Sequence, residues 1–403
     1  MRLVEQETRS AVPGIHVVEV TTLETLIGNT LLNERLLAGV GGVFASLGLV
    51  LMAAASRLDF RILRRLAPVL VVASLGLLLA VLVIGQSVNG ARRWLTFGPA
   101  VFQPSELAKI ALAVWAASYL TRRRPPQNLQ ELWRPIGLLT AVFCALLLVE
   151  PDLGTAIAIV AMLAAMLLVA GTPTRTLGAG LGIASALGLI AIWFEPYRRA
   201  RLFSFLNPWQ DAQGAGFQTV QAMIGLGSGG IFGVGLGQSV QKVNYLPEAH
   251  TDMIFAIIGE ELGLVGAAAV IAAYCGFAYI GLKIALACKD PFGKRLAAGL
   301  TVLVCGQAAI NLAAVMGLAP LTGLPLPFVS YGGSSLVVAL TSVGILLNIA
   351  GDAGAKRASV PDRGRGDSRP RAARARSRGG AARPRSTRDV RRVAGSRRSA
   401  SRP

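Results

Sequence analysis

Nine stretches of the chain, near residues 37–56, 67–86, 105–120, 135–149, 154–171, 177–194, 253–282, 296–318 and 333–351, are almost continuously apolar. Short segments rich in charge, proline and glycine separate them. A helix needs about 20 mainly apolar residues to cross the hydrocarbon core of a bilayer. The pattern therefore predicts an all-α polytopic membrane protein of about nine transmembrane helices. The longest interruption is 195–252. Its part from Phe217 to Val240 is rich in glycine and apolar residues and is expected to re-enter the membrane or lie on it.

Composition points the same way, with 53% of the 403 residues hydrophobic and 15% charged and a mean hydropathy of +0.56. Such a chain has too little polar surface for a water-soluble globule. The net charge of +19 is concentrated at one end. Residues 352–403 hold 17 Lys and Arg against 4 Asp, so the other 351 residues carry only +6. That Arg-, Ser-, Ala- and Gly-rich tail cannot bury a core and is expected to be disordered. An anionic lipid surface would attract it by about 1 kcal/mol per basic residue. No aromatic residue interleaves with its arginines, so nucleic acid is not an expected partner. Cys144, Cys275, Cys288 and Cys305 show no metal-ligand spacing or disulfide framework and read as packing residues.

Basic loops stay cytoplasmic. Arg57, Arg61, Arg64 and Arg65 follow the first stretch, Arg122–Arg124 the third, Arg175 the fifth, and Lys283, Lys289, Lys294 and Arg295 the seventh. These loops and the tail share one side only if the polar segment 1–36 starts outside. The domain reading is thus a polar segment 1–36, a membrane domain 37–351 with a large external loop 195–252, and a cytoplasmic tail 352–403.

Two external segments break the charge rule, at Arg92-Arg93 and at Arg198-Arg199-x-Arg201. Guanidinium groups bind phosphate oxygens bidentately, so an anionic partner such as a diphosphate is one reading. Pairing with Glu195 or Asp211 is the other. Glu106 and Lys109 stand three residues apart on one helix face, either as a buried ion pair or as substrate contacts. Glu150-Pro-Asp152-Leu-Gly154 interrupts an apolar run, and its carboxylates read as turn and cap groups. Gly225-x-Gly227-x-x-Gly230 matches a dinucleotide fingerprint only formally, since no strand precedes it. The densest chemistry is Tyr245-Leu-Pro-Glu-Ala-His-Thr-Asp252, which opens an apolar helix that also carries Glu260-Glu261. A buried charge in a membrane span costs about 3 kcal/mol or more, so these groups point to function.

Asn89-Gly-Ala-Arg-Arg-Trp94, Phe102-Gln-Pro-Ser-Glu-Leu-Ala-Lys109, Glu150-Pro-Asp-Leu-Gly-Thr155, the block ending at Asp252, Gly259-Glu-Glu-Leu-Gly263 and Pro327-Phe-Val-Ser-Tyr-Gly-Gly-Ser-Ser335 resemble the signatures of the SEDS family, which comprises FtsW, RodA and SpoVE. The match covers about 36–351, in the family's order. The Arg-Arg-Trp block and the Ala after Pro-Glu resemble the division branch more than the elongation branch.

The resemblance implies a peptidoglycan glycosyltransferase of the cytoplasmic membrane. Such an enzyme polymerises lipid II, the undecaprenyl-diphosphate-linked disaccharide, at the outer face during septal wall synthesis. Asp252 occupies the position of the family's essential aspartate and is expected to be the general base for the acceptor's 4-hydroxyl. Arg92, Arg93, Lys109 and Arg198 are expected to hold diphosphate, with Glu106 orienting Lys109. Trp94 and Ser330 are further substrate-binding candidates. Glu248 and His250 are expected to position Asp252 or a divalent cation, Mg or Mn, and no organic cofactor is expected. The implied partners are lipid II, a class B penicillin-binding protein and other division proteins. Family members usually have ten spans, so residues 1–36 are expected to be the remnant of a truncated first span region. A lipid II flippase is the alternative, for which charges along a two-sided path would be natural. A non-catalytic division scaffold is the third reading, one in which Asp252 would be dispensable.

Overall fold

The computed structural model describes residues 23–88, 91–97, 100–242, 246–247 and 249–358. The N-terminal 22 residues, the tail from 359 onward and Glu248 lie outside the described residues. In chain order the elements are α1 (Leu23–Arg57), α2 (Arg61–Ile84), β1 (Gln86–Val88), β2 (Ala91–Phe97), β3 (Ala100–Phe102), α3 (Pro104–Arg122) and α4 (Leu129–Val149). There follow α5 (Leu153–Ala170), α6 (Thr174–Phe194), α7 (Pro196–Leu206), α8 (Phe217–Ser228), α9 (Ile254–Ala287), α10 (Pro291–Val315) and α11 (Gly333–Ala358).

Among the described residues, eight helices are long and apolar enough to cross a membrane: α1 through its Ala38–Arg57 part, α2, α4, α5, α6, α9, α10 and α11 through its Gly333–Ala353 part. The remaining predicted stretch, 105–120, becomes α3, which carries Glu106, Lys109 and Arg122. Residues 108–117 of α3 include five alanines, and small side chains let neighbouring helices approach closely where lipid provides no hydrophobic drive. It is enclosed by α2, α5, α10 and α11, with Ala108, Ala111, Leu112, Ala113, Val114, Ala116 and Ala117 fully buried.

Two expectations change in detail. The first helix starts at Leu23 rather than near residue 37, because leucines continue through 23–37 without a proline to stop the turn. The segment 87–104, read only as external, contains a three-stranded antiparallel sheet in the order β1-β2-β3. Its register sets Gln86 opposite Trp94 and Leu95 opposite Phe102.

Helix boundaries follow local chemistry. Asp152 caps α5 by accepting from the Thr155 amide at 3.1 Å, and Gly171 ends that helix at φ 95°. Asp290 caps α10 through the Phe292 amide at 2.9 Å, with Pro291 in the first turn.

Helix α9 is interrupted at Gly263, where φ 65° and ψ −161° define a conformation open essentially to glycine alone. The segment 229–235 docks into this break. Val234 and Gly235 amides donate to the Glu260 and Glu261 carbonyls at 3.0 and 3.1 Å, and Leu264 and Val265 amides donate to Gly230 and Ile231 carbonyls at 2.9 and 3.2 Å. The buried Glu260 carboxylate extends the seam by accepting from the Ser239 hydroxyl and from the Val240 and Gln241 amides at 3.1 and 3.4 Å. At membrane depth, irregular backbone survives only when protein satisfies it in this way. Residues 212–241 contain no charged side chain, and Ile231, Phe232 and Leu236 are strongly exposed. These features suit a segment that dips into lipid. The Gly225, Gly227 and Gly230 fingerprint falls on α8 and the turn after it, away from any strand-to-helix junction.

Hydrogen bonds sort the connections into two ends. At one, the Arg61 guanidinium joins Asp59, Asp290 and Asp352 at 3.0–3.3 Å, Asn348 bridges the Phe60 amide and the Ser56 carbonyl, and Arg295 reaches Thr121. This end gathers the basic loops. At the other, Arg93, Arg198 and Arg201 reach the carbonyls of Glu150, Leu148 and Leu321, on elements distant in sequence.

Candidate active site

Asp252 lies half-buried in the turn just before α9, at the end opposite the basic loops. Its main-chain carbonyl accepts from the Asn311 Nδ2 at 2.7 Å, and the Thr251 hydroxyl lies 3.4 Å from its Oδ1. Gly323, at φ 71°, faces it across the site. A Cβ added there would stand 3.9 Å from both Asp252 Oδ2 and Arg201 Nη1, so a carboxylate and a guanidinium flank the same point. Arg201 is held by the Leu321 carbonyl at 3.2 Å and by the Tyr197 ring, whose centroid is 4.7 Å away. Within the Arg198-Arg199-x-Arg201 cluster, Arg201 is the one placed beside Asp252, whereas the resemblance picks out Arg198.

A cleft of about 420 Å³ opens alongside, lined by His250, Lys242 and Tyr331 and by apolar groups from Phe44, Ile254 and Leu336. His250 and Lys242 are exposed on its wall. The Tyr331 amide donates to the His250 carbonyl at 2.8 Å, which locks the Pro-rich segment 319–332 to the Asp252 turn. Ser330 uses its hydroxyl oxygen to accept from the Leu326 amide at 2.7 Å, a turn-forming role within that segment. Apolar walls with a lysine and a histidine at one side fit an amphiphile with an anionic head.

The other predicted site residues separate into three places. Arg92 is exposed, Trp94 half-buried, and Arg93 donates to the carbonyls of Glu150, at 2.9 Å, and Pro151. Arg198 donates to the carbonyls of Ala191, at 3.2 Å, and Leu148, fastening α7 to α6 and α4. Neither Glu195 nor Asp211 pairs with it. Glu106 and Lys109 form a closed pair at 2.8 Å with only 1% of each residue exposed, and Lys109 also donates to Gln307 Oε1 at 2.7 Å. Beside them is a cavity of about 10 Å³, room for about one water. Glu248 lies outside the described residues. His250 alone does not make a cation site, and no group of three or more His, Cys, Asp or Glu among the described residues converges on one point.

Asp152 accepts from the Ser105 hydroxyl at 3.3 Å and the Gln103 amide at 3.4 Å in addition to capping α5. Glu150 is fully buried with neither carboxyl oxygen hydrogen-bonded. Its burial, and after that the nearby Asp152 charge, push the carboxyl up to about 8, while Arg93 opposes the shift.

The FtsW/RodA/SpoVE cell cycle protein family matches residues 12–354 of this chain. Among its relatives, a probable peptidoglycan glycosyltransferase FtsW of Nitrosococcus halophilus is 43% identical over 316 residues, covering 76% of this chain and 81% of the relative. The protein of the same name from Escherichia coli O6:H1 is 39% identical over 342 residues, 83% and 82% of the two chains. A solved peptidoglycan synthase complex, studied for the coordination of polymerization and crosslinking, contains a chain 34% identical to this one. That chain aligns with a TM-score of 0.68 over 79% of this protein and 90% of its own length. The rod shape determining protein RodA of Thermus thermophilus aligns at 0.59 with 32% identity, over 79% and 88%. Six motif blocks, the helical fold and these matches agree: the chain belongs to the FtsW/RodA/SpoVE cell cycle protein family, the SEDS proteins.

Proposed function

We propose that this chain is a peptidoglycan glycosyltransferase that polymerises lipid II at the outer face of the cytoplasmic membrane, in septal wall synthesis. The observation that carries the reading is that Asp252 and Arg201 both face one point beside Gly323, next to a cleft with apolar walls. In this mechanism Asp252 accepts the proton of the acceptor sugar's 4-hydroxyl as that oxygen attacks the donor's anomeric carbon. The bond from that carbon to the diphosphate oxygen breaks, the configuration inverts, and the leaving diphosphate takes the electron pair. Arg201 holds that charge with donors suited to phosphate oxygens, and the cleft takes the polyprenyl-linked end of the substrate.

Relatives named as glycosyltransferases at about 40% identity support the activity, and the likeness to a synthase complex supports a class B penicillin-binding protein as partner. The basic loops gathered at the opposite end support an external site, since such loops stay cytoplasmic. Transport is less well supported, because Lys109 is held by Glu106 and Gln307, and Glu260 by the Ser239–Gln241 turn, which leaves Glu261 as the helix's other carboxylate for a path. The purified protein with its transpeptidase partner, supplied with lipid II and penicillin, is expected to yield uncrosslinked glycan strands. Movement of lipid II across vesicle membranes with no strands formed would favour the flippase.

A further inference from the structure

Helix α10 carries two buried amides one turn apart, Gln307 and Asn311, on the face turned toward the segment 319–332. Their donors go to consecutive carbonyls of that segment. Gln307 Nε2 donates to Pro325 at 2.9 Å, and Asn311 Nδ2 donates to Leu324 at 2.7 Å. Each amide also reaches a second partner on another element. Asn311 Nδ2 donates to the main-chain carbonyl of Asp252 at 2.7 Å, and Gln307 Oε1 accepts from Lys109 Nζ at 2.7 Å.

We propose that Asn311 and Gln307 are positioning residues that make Asp252, the 319–332 segment and the Glu106–Lys109 pair one rigid assembly. The proposal rests on the reading of Asp252 as the base. Asn311 sets the height and rotation of the Asp252 turn by holding its carbonyl and the Leu324 carbonyl on one amide group. Gly323 follows from this, because it is the neighbour of Leu324 and places the open point between Asp252 and Arg201. Gln307 fixes the next carbonyl and, through Lys109, ties it to α3. Lys109 thereby acts as an anchor: one donor goes to Glu106, which neutralises its charge, and another to Gln307, which holds the site's wall.

The chemistry needs amides here. Asn311 donates to two carbonyls, where a hydroxyl has only one donor. Gln307 donates to one carbonyl and accepts from Lys109, two partners on different elements that a long amide side chain spans. An apolar side chain at either position leaves carbonyls buried and unpaired. Small misplacements of a reacting group cost rate more than affinity, because the transition state is sensitive to alignment.

The test compares wild type with Asn311→Asp, Asn311→Ser and Gln307→Met, with Asp252→Asn alongside, each purified with the transpeptidase partner. Asn311→Asp keeps the shape and loses the donors. It is expected to lower kcat per folded molecule by at least about tenfold with KM within about threefold, alongside a lower thermal unfolding midpoint from the unpaired carbonyls. Asn311→Ser, whose hydroxyl is too short to reach either carbonyl, and Gln307→Met are expected to lower kcat in the same way. Wild-type kcat per folded molecule in the Asn311 variants, or a loss confined to KM, would overturn the proposal. Full activity in Asp252→Asn would instead overturn the reading of the base, whatever the Asn311 variants do.

Discussion

At Glu150 the carboxyl titrates at about 8 instead of its ordinary 4.5, outside the spanning helices, with burial as the main cause. A carboxyl whose folded value lies above its unfolded one binds its proton more tightly in the folded state. Its contribution to stability is full below about 4.5 and is lost as pH rises toward about 8. Glu150→Gln imitates the protonated group and removes the titration. Its thermal midpoint is expected to stay level between pH 5 and 8.5, while that of wild type falls; equal pH dependence in both would contradict the burial. Residue-scale function was partly legible in the sequence. Asp252 stood out because ionisable residues crowded a helix start. Arg201 did not stand apart from Arg198 three residues earlier, since what separates them is partners far along the chain, the Leu321 carbonyl for one and the Leu148 carbonyl for the other. Gln307 and Asn311 had no motif at all, and a lone amide in an apolar helix announces nothing until its partners are known.

Helix α9, which begins just after Asp252, is locked to the segment 229–235 at its break. A Cβ on Gly263 would come within 2.4 Å of the Gly233 nitrogen and 2.5 Å of the Ile231 oxygen, both backbone atoms that four hydrogen bonds hold in place. Gly263→Ala is expected to cost about 3 kcal/mol or more, from the strained conformation and the clash together. Gly276→Ala, in the same helix with open space around its Cβ, is expected to be neutral or slightly stabilising. Thermal unfolding of both in detergent checks this, and equal midpoints would contradict the docked break. The helices were legible because apolar length is a local property. The break was not, because Gly263 reads as one more small residue in a span, and of the strands that shape 86–102 two have three residues while Ala91–Phe97 does not alternate apolar and polar positions.

Across the whole molecule, the same asymmetry of Lys and Arg that predicted orientation from sequence reappears as a physical gathering of loops. Arg61, Asp290, Asp352, Asn348, Arg295 and Thr121 all meet at one end, while Arg93, Arg201, His250 and Asp252 belong to the other. A membrane-impermeant maleimide is therefore expected to label Arg199→Cys in intact cells, and Lys289→Cys only after the membrane is opened, with the parent protein as control for its native cysteines. The reverse pattern would invert the topology. The central claim is that Asp252 is the base of a glycosyl transfer. Its most direct test is the rate of strand formation from lipid II by Asp252→Asn against wild type, both with the transpeptidase partner. Loss of a general base should slow the reaction by about 100-fold or more while lipid II binding is retained; strands formed by Asp252→Asn at the wild-type rate would contradict it.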